Sequence, residues 1–249
     1  MSLVKVKRNL LKVYVKFNEK THKHEGTELK YMFSKNNSDT LIVSFSGFSP
    51  GGARYNYVKT LKKTNINKLF ILDNFGFDRF GSYYIGRNSH FNEEKATIDL
   101  INKIKKENKV KKVIFIGTSK GGYASLYFGF KYSADAIIIG APQYYLGRYA
   151  SESGNPDLVK YIIGKSGQGD FDYMDSLLPN ILQKNSSKDT KVFLQYSNQE
   201  YTYEAHIKDL VNDLEKNKIN STFEVLDYKN HSDVGFYFPE FLLKILKDI

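Results

Sequence analysis

Short apolar runs separated by helix-period segments dominate the chain. Thr40 to Ser46 (TLIVSFS), Lys68 to Leu72 (KLFIL), Lys112 to Ile116 and Ala136 to Ile139 are nearly continuous apolar stretches bounded by turn residues. That is the pattern of strands buried on both faces. Lys191 to Tyr196 and Phe223 to Leu226 continue the series. Between them, Asn92 to Glu107 places Ala96, Leu100, Ile101 and Ile104 at helical spacing behind Asn92, Glu93 and Glu94, which suit a helix start. Helices are also expected over Tyr55 to Lys63, Lys120 to Lys131, Glu204 to Asn217 and Phe238 to Leu246. In Glu204 to Asn217, Ile207, Leu210, Val211 and Leu214 form the inward stripe, and His206 is assigned to the solvated face. Near the start, Leu10 to Phe17 reads as a strand, Glu19 to Gly26 as a polar turn and Leu29 to Phe33 as the second strand of a hairpin. Residues 143–190 are weakly periodic and occupy the position of a small cap insertion. The alternation predicts one α/β domain over 1–249, with a mostly parallel sheet and helices on both faces. Ligands in such sheets bind at the carboxyl ends of the strands.

The richest chemical signal is Gly117-Thr118-Ser119-Lys120-Gly121, a G-x-S-x-G between an expected strand and an expected helix. This context is what a nucleophile elbow requires. The serine sits on a sharp strand-to-helix turn, so the positions two away on either side must be small, as Gly117 and Gly121 are. A serine hydroxyl is a weak nucleophile and needs a base. Of five histidines, His231 follows the last strand directly and is the expected base. The third member is sought after the strand Lys191 to Tyr196, where Glu200 is the first carboxylate and Glu204 the fallback. The chain order Ser119, Glu200, His231 matches that of an α/β-hydrolase triad. The expected oxyanion donors are the backbone amides of Lys120, after the nucleophile, and of Phe48, after the strand Thr40 to Ser46. Asn74, Tyr83, Tyr84 and Arg87, in the loop after Lys68 to Leu72, are candidate contacts to a sugar or an anionic polymer, with packing of the tyrosines against the loop the equal alternative.

Composition narrows the chemistry further. Cysteine is absent, which removes disulfides, thiolate metal sites and a Cys nucleophile. The run His22-Lys23-His24-Glu25 is expected to be a solvated loop, and no metal or other cofactor is expected. The net charge of +10 comes from lysines spread along the chain, with the densest cluster, Lys103 to Lys112, at a helix end. A solvated basic surface is therefore expected rather than nucleic-acid binding. No apolar run approaches the roughly 18 residues of a spanning helix, so a cytoplasmic location without stable membrane insertion is expected.

The segments SFSGF, ILDNFG, GSYYIG and GTSKGGYASLYFGFKY together resemble a bacterial branch of the α/β-hydrolase superfamily. That branch contains capsule-biosynthesis hydrolase-like proteins and the glycan O-acetyltransferase component of accessory secretion systems. The resemblance implies an α/β-hydrolase fold and acyl-ester chemistry on a surface glycan or polymer. It assigns the nucleophile, acid and base to Ser119, Glu200 and His231. The implied partners are a small-molecule acyl ester and a glycan acceptor. The alternative is a catalytically idle hydrolase fold that acts as a scaffold in surface-polymer biosynthesis or export.

Overall fold

The computed structural model describes residues 13–48, 52–184 and 189–249. Eight strands form one sheet: β1 (Lys20–His24), β2 (Thr27–Ser34), β3 (Thr40–Phe45), β4 (Asn67–Leu72), β5 (Lys112–Thr118), β6 (Ala136–Gly140), β7 (Lys191–Ser197) and β8 (Ser221–Leu226). Their spatial order is β1-β2-β4-β3-β5-β6-β7-β8. The β1–β2 and β2–β4 pairs are antiparallel, and every pair from β4 through β8 is parallel.

After the helical residues 13–18 come α1 (Asn92–Glu107), α2 (Lys120–Lys131), α3 (Leu146–Glu152), α4 (Asp157–Ile163), α5 (Gln168–Lys184), α6 (Lys208–Lys216) and α7 (Val234–Asp248). Two helices clasp the middle of the sheet from opposite sides. On one face α2 meets Phe115 and Ile137 so closely that a Cβ at Gly129 would strike the Ile137 side chain. On the other face Phe238 and Val234 of α7 press on Gly140. This two-sided burial is why the central strands are apolar at nearly every position. From β3 through β6 only the two end residues, Thr40 and Lys112, escape full burial.

The amino-terminal region departs from the sequence expectation. Residues 13–18 are helical, whereas Leu10 to Phe17 reads as a strand; residues 10–12 lie outside the described segments. The stretch expected to be a turn is the strand β1, and the reversal is confined to Glu25 and Gly26, both at positive φ (44° and 82°). Positive φ at both central positions is the type I′ turn that matches the twist of a hairpin. An edge strand solvated on one face carries few apolar residues, so β1 leaves little hydrophobic trace. The expected helix over Tyr55 to Lys63 shrinks to a single 3₁₀ turn, Thr60–Lys63. Residues 143–190 contain α3, α4 and α5, which pack on one another between β6 and β7. Among the described residues, no helix is long and apolar enough to cross a membrane.

Candidate active site

Three crossover connections bring Ser119, Glu200 and His231 to the same end of the sheet. Ser119 lies between β5 and α2, Glu200 follows β7, and His231 follows β8. The turn at Ser119 is strained, with φ 53° and ψ −119°, a region non-glycine residues seldom occupy. Its amide donates to the Gly140 carbonyl at 3.0 Å, and its carbonyl accepts from the Tyr123 amide at 3.0 Å. The flanking glycines are sterically required. A Cβ at Gly117 would collide with the Gly121 backbone, and one at Gly121 would stand 2.8 Å from the Phe45 carbonyl oxygen.

The side chains form one continuous hydrogen-bonded chain. His231 Nε2 is 2.9 Å from Ser119 Oγ, and His231 Nδ1 is 2.8 Å from Glu200 Oε2. The arrangement is self-consistent in one tautomer: Nδ1–H donates to the carboxylate, and the bare Nε2 accepts the serine proton. The Glu200 side chain is fully buried, whereas the imidazole is 22% exposed and Ser119 is half-buried. The charge is thus shielded while the hydroxyl stays within reach. The Tyr201 ring lies 5.7 Å from the imidazole. Glu204 pairs instead with Lys208 at 3.0 Å on the surface, away from His231.

One neighbour escaped the sequence reading. Gln143 Nε2 donates to Ser119 Oγ at 2.8 Å, and Gln143 Oε1 is buried without a partner. The hydroxyl therefore accepts from Gln143 while donating to His231, which fixes its rotamer. A lone amide after an apolar strand carries no sequence signal for such a contact.

Lys120 opens α2, where the first amides lack intrahelical acceptors. Its side chain turns the other way, into the protein, and is 2% exposed. The Nζ lies 2.9 Å from Asp73 Oδ2, and both Asp73 oxygens accept from the Ser82 amide. Phe48 follows β3, and its ring stacks on Phe80. The preceding Gly47 runs beside the elbow, with its Cβ direction 3.8 Å from the Thr118 carbonyl.

The four candidate substrate contacts do not form one surface. Tyr84 is fully buried, and its hydroxyl bonds to Ser46 and to the Ile71 carbonyl, which leaves no face for a ligand. Tyr83 is 3% exposed, with its ring edge-on to Tyr123 and about 6 Å from the Lys120 ammonium. Asn74 follows β4, and its Oδ1 is buried without a partner. Arg87 is exposed and lies over the Tyr161 ring at 5.6 Å. The two tyrosines read as loop residues because consecutive aromatics in a Gly-rich stretch have no periodicity to mark them as core.

His206 corrects the surface assignment. Between Glu200 and α6 the chain makes a π-turn, Tyr203–Ile207, which adds a residue to the turn and rotates His206 inward to full burial. Burial, and after it the Arg148 charge, pushes its pKa down to about 4. His22 and His24 lie on β1 rather than in a loop and meet Asp99 of α1.

Comparison with protein-family models finds no match, and comparison with curated proteins finds none either. Solved structures do match. The capsule O-acetyltransferase of Neisseria meningitidis serogroup A, in complex with CoA, is 21% identical with a TM-score of 0.76, covering 91% of this chain and 94% of that one. The Gap123 glycosylation-associated complex of Streptococcus agalactiae is 20% identical with a TM-score of 0.78, covering 92% of this chain and 46% of that one. A fluorophosphonate-binding serine hydrolase of Staphylococcus aureus, FphF, is 11% identical with a TM-score of 0.66, covering 91% and 96%. The mostly parallel eight-stranded sheet, its flanking helices and these neighbours together show that the chain has the α/β-hydrolase fold.

Proposed function

We propose that the protein is a serine-dependent acyl-ester hydrolase or O-acyltransferase that works through an acyl-enzyme on a bacterial surface glycan or polymer. The observation that carries this reading is the Glu200–His231–Ser119 hydrogen-bond chain ending on a strained, accessible elbow. Ser119 Oγ attacks the acyl carbonyl while His231 Nε2 takes its proton. The developing oxyanion falls to the amides of Lys120 and Phe48, one of which is set by the start of α2. Collapse of the tetrahedral intermediate breaks the bond to the leaving group, which takes the proton from His231. Water or a sugar hydroxyl then gives its proton to His231, attacks the acyl-serine and releases Ser119. Glu200 holds the imidazole in the required tautomer and balances its transient charge.

The solved neighbours support both outcomes, since they include an O-acetyltransferase complexed with CoA and several esterases. For the transferase branch the proposed donor is an acyl thioester and the acceptor a glycan hydroxyl. The scaffold reading needs no accessible nucleophile, and the hydrogen-bonded triad weighs against it.

The test is labelling with a fluorophosphonate probe, followed by turnover of short-chain aryl esters with and without a sugar acceptor. The reading expects stoichiometric labelling of Ser119, loss of labelling in Ser119→Ala and ester turnover by the wild type. A protein that neither labels nor turns over esters or acyl thioesters is the scaffold instead.

A further inference from the structure

A second histidine–carboxylate cluster lies at the opposite edge of the sheet. Alternation along β1 puts His22 and His24 on one face of the strand, the face that α1 covers. Asp99, in the middle of α1, reaches them. Its Oδ2 is 2.8 Å from His22 Nε2 and 3.3 Å from His24 Nδ1. The three donor atoms all lie within 4.8 Å of one another. His22 is buried, His24 is 28% exposed and Asp99 is 46% exposed, so the cluster is a pocket with one open side.

We propose that His22, His24 and Asp99 form a binding site for a divalent transition-metal ion, with zinc as the ion of choice. Two imidazoles converging on a single carboxylate oxygen exceed what an ordinary ion pair needs. Ligand atoms around a tetrahedral zinc, with bonds of about 2.0–2.1 Å, stand about 3.3 Å apart. The 3.3 Å separation between Asp99 and His24 already equals that polyhedron edge, and the 2.8 Å hydrogen bond between Asp99 and His22 would lengthen by about 0.5 Å to admit the ion. Two imidazoles with one carboxylate suit zinc, cobalt or nickel rather than magnesium or calcium, which prefer all-oxygen sets. The exposed side leaves a fourth position for water. Lys95, one turn before Asp99, is paired with Glu25 at 3.6 Å, which reduces its repulsion of a cation.

The site is structural in kind. It ties an edge strand to a helix four strands from β5, about 19 Å at the usual spacing, and so it does not touch Ser119. A bound ion would crosslink α1 to β1, a strand that contributes no side chain to the hydrophobic core.

The experiment uses the full chain, freed of any affinity tag and dialysed against chelator. Zinc is titrated by calorimetry, and thermal unfolding is followed with zinc, magnesium or calcium present. The proposal expects one saturable zinc equivalent. It also expects a Tm rise of about 5 °C or more when zinc exceeds its Kd a hundredfold, with no response to magnesium or calcium. His24→Ala and Asp99→Asn, both at partly exposed positions, should each weaken zinc binding at least tenfold while leaving the circular dichroism spectrum unchanged. His90→Ala should bind as the wild type does. Cobalt provides a readout independent of variant folding: the wild type should develop visible d–d bands of a low-coordinate nitrogen–oxygen site, displaced by zinc. Absence of saturable binding, or unchanged affinity in both variants, overturns the proposal.

Discussion

Both ends of this sheet hold a histidine bonded to a carboxylate at 2.8 Å, yet the two pairs have different surroundings. At the β7–β8 end the carboxylate of Glu200 is fully buried, and the imidazole passes its other nitrogen to a hydroxyl on a strained turn. At the β1 edge Asp99 is nearly half exposed, and the second imidazole, His24, meets the carboxylate oxygen itself rather than the far nitrogen of His22. The pair alone therefore does not specify a chemistry. In the readings proposed above the third partner does: a hydroxyl on the imidazole for proton transfer, a second imidazole on the carboxylate for a cation. The supporting elements differ in the same sense. The triad hangs on three parallel-strand crossovers that fix its geometry from separate directions. The β1 cluster joins one hairpin strand to one helix.

The sharpest way to break this comparison is at the nucleophile. Ser119→Ala should abolish ester turnover, with a loss of up to about 10⁶-fold in kcat, while circular dichroism and Tm stay near wild type. Residual activity within tenfold of wild type would remove Ser119 from the mechanism. Exchanging carboxylate for amide at each end is the next test. Glu200→Gln should lower kcat by about 10⁴-fold, as for other triad acids, because the imidazole loses its tautomer and its counter-charge. Asp99→Asn should leave kcat within twofold. Equal losses from the two substitutions would mean that the edge cluster communicates with the triad.

Smaller effects concern what holds the triad end together. Lys120 and Asp73 form a buried ion pair directly beneath the elbow. Asp73→Asn leaves an uncompensated ammonium and should cost about 3–5 kcal/mol, read as a lower urea midpoint. His206 gives a pH signature. The folded imidazole stays neutral down to about pH 4, whereas in the unfolded chain it takes a proton near the ordinary histidine value of 6.5. The unfolded state therefore binds more protons in this window, and stability falls as pH drops from about 6.5 to about 4. The loss reaches about 3 kcal/mol, and His206→Gln should flatten that limb of the Tm–pH curve. The smallest expected effect on turnover is that of a chelator. EDTA should leave ester hydrolysis within twofold, since Ser119 and backbone amides perform the proposed chemistry, while it lowers the Tm of zinc-loaded protein.

The central strands were legible in the sequence because burial on both faces demands unbroken apolar runs. Thr40 to Ser46, Lys112 to Ile116 and Ala136 to Ile139 each match an observed strand to within two residues at its carboxyl end. The elbow was legible for a steric reason, since Gly117 and Gly121 approach each other too closely for any side chain. Glu200 and His231 follow the adjacent strands β7 and β8 and reach Ser119 across β6, since the loops at the carboxyl ends of parallel strands share one edge of the sheet. Other features depend on neighbours remote in sequence. The phase of His206 is set by one π-turn, which helical periodicity does not encode. Gln143 reaches Ser119 only because β6 lies beside β5. Tyr84 is a core residue because Ser46 and the Ile71 carbonyl, supplied by β3 and β4, satisfy its hydroxyl. The spacing His-x-His was visible in the chain, but Asp99 stands 77 residues after His22, and only the packing of α1 on an edge strand brings the three donors together. Local sequence determines what a segment must bury or keep small, whereas the partner of a polar group is decided when distant elements dock.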